Sequence, residues 1–388
     1  MTGAGPLAGV RVADFSRVLA GPYATMLLAD LGADVVKVER PGVGDDTRAW
    51  GPPFDPEGRA TYFESVNRNK RSLVLDLRLP ADVAAARALA LSADVVVENF
   101  VPGTMERFGL GYAALAAEHP GLVWCSVTGF GDSDAGRTLP GYDLLVQASG
   151  GLMSLTGPEP GQPTKVGVAL VDVITGLHMA IGVLAALRHR DRTGEGQRVD
   201  ATLLSSLLSA LVNQGGAYVG AGVVPGILGN AHPSIAPYQV FETADRAMVI
   251  AVGNDGQFAA LATVLGIPEL SDDPRFATNP ARVGHRHELN GILAPLLRAR
   301  GVDEWWSVMT PAGVPCGPVN DLAEAFALAA HVGLDPVVDI AGGARLTPSR
   351  QVAHPLRWSA TPATYRLPPP ALGEHTSEVL AELREGEA

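Results

Sequence analysis

Through the first third of the chain, short apolar runs alternate with stretches of helical spacing. Val10–Phe15 is a compact apolar run, and GPYATMLLADL at Gly21–Leu31 has helical spacing, with Pro22 in its first turn. DVVKVE at Asp34–Glu39 predicts a strand and the Ala-rich Pro80–Ser92 a helix. Asp94–Phe100 (DVVVENF) and Leu122–Val127 (LVWCSV) predict two more strands. Strand–helix alternation of this kind predicts βαβ units, hence an α/β fold around a parallel sheet covered on both faces. Ligands of such sheets bind beyond the carboxyl ends of the strands. That rule points to residues 16–21, 39–44 and 99–103.

Two longer apolar stretches follow, Val168–Leu187 and Ala201–Val224, joined by the basic segment RHRDRTGEGQR. Their length admits a membrane hairpin. Asp172 and His178 are costly in lipid, and no aromatic belt flanks the stretches, so two buried helices are expected instead. Residues 220–237, rich in Gly, Ala and Pro, read as a linker. From Tyr238 the pattern changes. VFETADRAMVIAVG predicts two strands around a turn at Ala244–Arg246, followed by helices at Asp255–Val264, His287–Arg298 and Asp303–Met309. Residues 362–370 are Pro-rich and expected to be extended. A last helix is expected at Thr376–Glu385, with Thr376 as its N-cap.

Composition narrows the function. The 388 residues carry 29 basic and 41 acidic side chains, a formal charge of −12. That argues against a nucleic-acid surface but says nothing about a local basic pocket. At 47% hydrophobic and 18% charged, the chain has ample material for a core. Cys125 and Cys316 stand far apart, with no zinc spacing around them, so no metal is expected. The opening MTGAGPLAGV lacks the basic-then-apolar order of a signal peptide, and a cytoplasmic location is expected.

Asp172 carries the most chemical information. A carboxylate inside VALVDVITGL is costly unless paired or hydrogen-bonded, and the first turn of a helix offers free N–H groups. It reads either as a structural cap or core ion pair, or as a desolvated nucleophile. Arg68, Lys70 and Arg71 in NRNKRS form a basic cluster: a solvated turn before a strand, or a phosphate site. Asn99, Phe100 and Arg107, just beyond a predicted strand, supply an amide, an aromatic face and a guanidinium. His178 reads as a core histidine, His375 as a capping residue, and Asp45 and Asp46 as loop carboxylates. The first strand is followed by SRVLAGP rather than G-x-G-x-x-G, so a dinucleotide fingerprint is absent.

Together these residues resemble the family III CoA-transferases. The resemblance runs from about Leu7 to Leu380. Its markers are LAGPYATMLLADLGADVVKVERPGVGDDTR, NRNKRSLVLDL, VVVENFVPG, GYDLLVQASGG, the Asp172 segment, GVPCGPVN and LGEHT. GDDTRAWGPPF, AHPSIAPYQVF and PPPALGEHT are most similar to the branch acting on succinate and hydroxymethylglutarate.

The resemblance implies a large Rossmann-like domain built from both chain ends, a smaller α+β middle domain and an interlocked homodimer. On that plan residues 1–200 and 340–388 form the CoA-binding domain and 231–330 the small domain. Residues 201–230 and 331–339 are the links. The substrates implied are an acyl-CoA and a carboxylic acid, with no metal, nucleic acid or membrane. Asp172 matches the nucleophile. Val18, Arg40, Leu75, Arg78, Asn99, Phe100 and Arg107 match positions that contact CoA. Trp50, Tyr62, Tyr142 and Asp143 match residues lining the acyl pocket, and the loop at Gly253 is a candidate for oxyanion donors. Leu19 stands where formyl-CoA transferases carry Gln, which argues against formyl and oxalate chemistry. Tyr142 stands where the related racemases carry His, which argues against racemisation. An acyl-CoA racemase and a non-catalytic acyl-CoA-binding protein are the alternatives. For a dicarboxylate acceptor, Arg17, Arg48 and Arg68 are the candidate cations.

Overall fold

The computed structural model describes residues 5–385. The chain folds as two compact units. The first runs to Leu152 and resumes over Val166–Val223 and from Asp335; the second comprises Met153–Lys165 and Val224–Leu334.

The first unit is built on six parallel strands. These are β1 (Arg11–Asp14), β2 (Asp34–Glu39), β3 (Lys70–Val74), β4 (Val95–Glu98), β5 (Val123–Thr128) and β6 (Arg198–Thr202), in the order β3-β2-β1-β4-β5-β6. Strand alternation sends neighbouring valines to opposite faces. Val95 and Val97 join one core cluster with the helices Ala20–Asp30 and Leu170–Thr193. Val96 joins the other, with the helices Pro80–Ser92 and Thr376–Glu385. Both faces are therefore dry in the middle of the sheet, which is why β4 and β5 read as nearly continuous apolar runs.

Leu170–Thr193 is long and apolar enough to cross a membrane by length and composition. Here one of its faces lies in the core, through Val171, Thr175, Met179, Val183 and Leu187. It approaches the start of Ala20–Asp30 closely at Gly176, where a Cβ would lie 2.7 Å from the Ala20 carbonyl oxygen. His178 is exposed on the other face, not in the core.

The second apolar stretch is not one buried helix. It breaks into Leu203–Ala210, whose Leu203 and Leu207 complete the core beside Val171, and Val212–Ala221, which buries nothing. Residues 201–223 thus belong to the first unit rather than to a link. β3 starts inside the basic cluster rather than after it, and β6 is not legible as a strand, because both are rich in polar residues. Thr376 does not cap its own helix; its hydroxyl accepts from the Val74 N–H at 3.1 Å, at the end of β3.

The second unit holds an antiparallel sheet, β7 (Tyr238–Glu242), β8 (Ala247–Ala251) and β9 (Cys316–Pro318). The turn between β7 and β8 falls where the pattern predicts it. Phe241, Met248 and Ile250 pack with Phe258, Leu289, Leu293 and Trp305 from the helices Asp255–Val264, Arg286–Leu297 and Val302–Met309.

Candidate active site

The strand order reverses between β1 and β4, because consecutive crossovers leave the sheet in opposite directions there. A crevice at the carboxyl ends of those two strands follows from the topology. The residues beyond them are Ser16–Leu19 and Asn99–Phe100. Val18 takes φ +70°, a left-handed conformation that a β-branched side chain strains. Asn99 spans the crevice: its Oδ1 accepts from the Arg17 N–H at 2.9 Å, and its Nδ2 donates to the Arg17 carbonyl at 2.8 Å. The amide that the sequence offers to CoA is therefore committed to the protein backbone.

Asp172 lies in the first turn of Leu170–Thr193, half-buried. The N–H groups that a helix start leaves unpaired would favour its charge, but Asp143 takes them first. Asp143 Oδ1 accepts from the N–H of Val171 at 2.8 Å and from that of Asp172 at 3.3 Å. Its Oδ2 accepts from Gln147 Nε2 at 2.6 Å, and Gln147 Oε1 in turn accepts from the Val166 N–H. Burial, and then the nearby charge of Asp143, push the Asp172 carboxyl up to about 7. The Tyr62 hydroxyl is pushed up to about 12, by burial first and then by Asp172, so it stays protonated and able to donate.

A carboxyl held at about 7 predicts the pH–rate profile. A nucleophile must be ionised, so kcat/KM should fall about tenfold per pH unit below that value and level off above it. Asp143→Asn removes a negative neighbour and should move the break toward lower pH. Steady-state kinetics across pH 5.5–9 check both, and a flat profile would remove Asp172 as the ionising group.

Two cavities meet at this place. One, of about 350 Å³, is lined by Asp172, Asp143, Tyr142, Val18, Leu19 and the glycines of residues 129–131. The other, of about 480 Å³, is lined by Arg40, Leu75, Arg78 and Phe108 among others. Arg17 and Phe100 line both and form the wall between them, the guanidinium 5.4 Å from the ring centre. A third cavity, of about 460 Å³, faces Glu98, Glu106, Asp132 and Asp200 against only Arg137 and Arg198, an unfavourable surround for an anion.

The remaining expected site residues are distributed less uniformly. Arg40 is paired with Asp46, and Arg78 is exposed and paired with Asp76. Arg107 lies outside the lining of the second cavity and donates to the Thr104 hydroxyl. Trp50 and Tyr62 meet edge to face at 5.4 Å, outside the lining of the Asp172 cavity. Gly253 is in the second unit, where its N–H donates to Gln257 Oε1 at 2.8 Å.

The basic cluster is neither a solvated turn nor a phosphate site. Arg68 is buried against Asp30, Lys70 against Asp14, and Arg71 against Asp34, Glu378 and Glu382. Asp45 is a loop carboxylate as expected, but not a solvated one: it is fully buried in an ion pair with Lys37, Nζ to Oδ2 2.9 Å. Sequence reasoning passed over Lys37, though a lysine in the middle of DVVKVE is itself a signal, because a charge on a buried strand must find a partner. Among the three candidate cations, Arg48 is held by Glu39 and by the Pro370 carbonyl, and Arg68 by Asp30. Arg17 alone of the three lines the Asp172 cavity, with one 3.3 Å ion pair to Asp46.

Comparison with known proteins bears directly on this arrangement. The sequence profile described as CoA-transferase family III matches residues 7–376. A succinate–glutarate CoA-transferase of Agrobacterium fabrum is 45% identical over 390 residues, covering 97% of this chain and 96% of its own. A succinyl-CoA:glutarate CoA-transferase of Mus musculus is 43% identical, covering 97% of this chain and 86% of its own. The crystal structure of a CAIB/BAIF family protein from Brucella suis superposes with a TM-score of 0.87 at 43% identity, over 98% of this chain and 100% of that one. Agreement in sequence and fold over nearly the whole length means that the chain belongs to CoA-transferase family III.

Proposed function

We propose that this enzyme moves CoA from succinyl-CoA to a dicarboxylic acid of similar length, such as glutarate, with Asp172 as the nucleophile. The observation that carries the reading is the Asp172 carboxylate, poorly solvated and opening into a cavity that shares a wall with a second one. That second cavity, with Arg40 and Arg78 at its rim, suits the nucleotide end of CoA.

The Asp172 carboxylate attacks the thioester carbonyl. The C–S bond breaks, giving a mixed anhydride and CoA thiolate. The thiolate attacks the aspartyl carbonyl, the donor acid leaves as carboxylate, and CoA is held as an aspartyl thioester. The acceptor carboxylate attacks that thioester and expels the thiolate, which then attacks the acceptor-derived carbonyl and frees Asp172. Each step exchanges one activated acyl group for another, so the sequence needs neither ATP nor net proton transfer. Poor solvation raises the reactivity of the carboxylate and spares the anhydride from hydrolysis.

Arg17 is the cation assigned to the distal carboxylate. The substrates named for the glutarate-acting relatives support the dicarboxylate class. An interlocked homodimer in the cytoplasm is part of the same proposal. It is supported by the apolar side chains exposed on the first unit, among them Ile181, Val212, Val219 and Val223.

Succinyl-CoA assayed against succinate, glutarate, itaconate, mesaconate and 3-hydroxy-3-methylglutarate tests the substrate class. At least one dicarboxylate should be a good acceptor, and Arg17→Gln should raise its KM about tenfold or more, as loss of a charged hydrogen bond does. Turnover with monocarboxylates alone would overturn the assignment.

A further inference from the structure

We propose that the buried Lys37–Asp45 pair is a positioning clamp for CoA transfer, holding the Arg17–Val18 turn in a strained form that sets the wall of the Asp172 cavity. The proposal rests on Asp172 as the reacting group and concerns residues that do not react themselves.

Four successive backbone groups make up this turn, and buried or half-buried side chains take all of them. Lys37 Nζ donates to the Ser16 carbonyl at 2.8 Å. Asn99 takes the N–H and the carbonyl of Arg17. Asp45 takes the Val18 N–H at 3.2 Å and 3.3 Å, one distance to each carboxylate oxygen. Lys37 and Asp45 are fully enclosed and bonded to each other, so together they bracket the turn from both sides. Asp45 is fixed in turn by the N–H and hydroxyl of Thr47.

An ordinary turn needs no such holding. Val18 at φ +70° does, because an L-residue with a branched Cβ relaxes out of that region unless its surroundings enforce it. The consequence falls on the next residues. Leu19 precedes Ala20–Asp30 without a side-chain cap, so the direction of that helix start depends on the turn before it. Val18, Leu19 and Ala20 line the cavity with Asp172, and Ala20 is packed against Gly176, one helical turn beyond Asp172. Relaxing Val18 therefore moves the wall that faces the reacting carboxylate. Misplacement of about 1 Å is enough to cost on the order of 100-fold in rate.

The test is Asp45→Asn, alone and combined with Val18→Gly, assayed beside Asp172→Asn. Asp45→Asn should lower kcat by about 10- to 100-fold and move the KM for succinyl-CoA by less than about threefold. Glycine adopts positive φ without strain, so Val18→Gly in the Asp45→Asn background should restore about tenfold in kcat. A pair needed only for folding would lower the melting temperature, leave kcat of the folded enzyme within about twofold, and gain nothing from the glycine. That result overturns the clamp. If Asp45→Asn is recovered unfolded, Thr47→Val is read instead. It loses one hydroxyl bond to Asp45, touches neither cavity lining, and should lower kcat by roughly three- to tenfold. Unchanged kcat there overturns the clamp equally. Turnover retained by Asp172→Asn would overturn the nucleophile and leave the clamp result separately legible.

Discussion

Asp172→Asn should lose on the order of 10⁴-fold in kcat and yet be more stable than the wild type at pH 8. The loss follows from chemistry: a neutral amide cannot form the anhydride or carry CoA as a thioester. The gain follows from linkage. The folded carboxyl holds its proton up to about pH 7, whereas an ordinary aspartate loses it near 3.8. Between those values the folded state binds more protons than the unfolded state, so stability falls as pH rises, and the penalty is complete above pH 7. Asparagine, close in volume and uncharged, removes the penalty. The expected gain at pH 8 is roughly 2–4 kcal/mol, the low end allowing for water in the cavity. Near pH 4 the two proteins should unfold alike. Urea denaturation at both pH values reads the difference. Incubation with succinyl-CoA, followed by mass spectrometry of the Asp172 peptide, should show a CoA adduct in the wild type only. An adduct in the variant would place the reacting group elsewhere, and equal stability at pH 8 would mean that the folded carboxyl is not held near 7.

Much of the first unit was legible because its information is local. DVVVENF and DVVKVE announce strands by unbroken apolar character, and the alternation with helices dictates a parallel sheet. From the sheet comes the crevice, and with it Ser16–Leu19 and Asn99–Phe100. Asp172 stood out because a carboxylate among apolar neighbours is expensive. What was hidden lies in pairings across the chain. Whether Arg68 meets water, phosphate or a carboxylate depends on Asp30, 38 positions earlier in sequence. Arg71 meets Glu382, 311 positions away, when the last helix returns beside β3. That β3 begins at Lys70 was unreadable, because a lysine and an arginine can lie on a buried strand only where such partners neutralise them. The same applies to Asn99, whose amide is a ligand contact on paper and a backbone clamp in the fold.

That reassignment makes Arg68→Met the second large effect. The Arg68 side chain is 3% exposed and that of Asp30 is 0% exposed. Arg68 Nε and the second guanidinium nitrogen donate to Asp30, the latter at 2.6 Å, and the remaining nitrogen donates to the Val352 carbonyl. Removing the cation leaves Asp30 with the Asn69 amide as its remaining side-chain donor. Leaving one member of a buried pair without its counter-charge costs about 3–5 kcal/mol. The expected result is a drop of that size in the free energy of unfolding, with CoA affinity of the folded protein unchanged within about twofold by calorimetry. Asp30→Asn added to Arg68→Met should recover part of the loss, because the stranded charge is then gone. A phosphate-binding arginine predicts the reverse pattern. Its removal would weaken CoA binding by tenfold or more, roughly the value of a charged hydrogen bond, and leave unfolding nearly unchanged. Asp30 occupies the place a phosphate would need, so the stability loss is the expected branch. The arginines around the two cavities are then Arg17, Arg40, Arg78 and Arg137. The arginine–lysine cluster that looked most like an anion site serves to fasten the first helix and the chain end to the sheet.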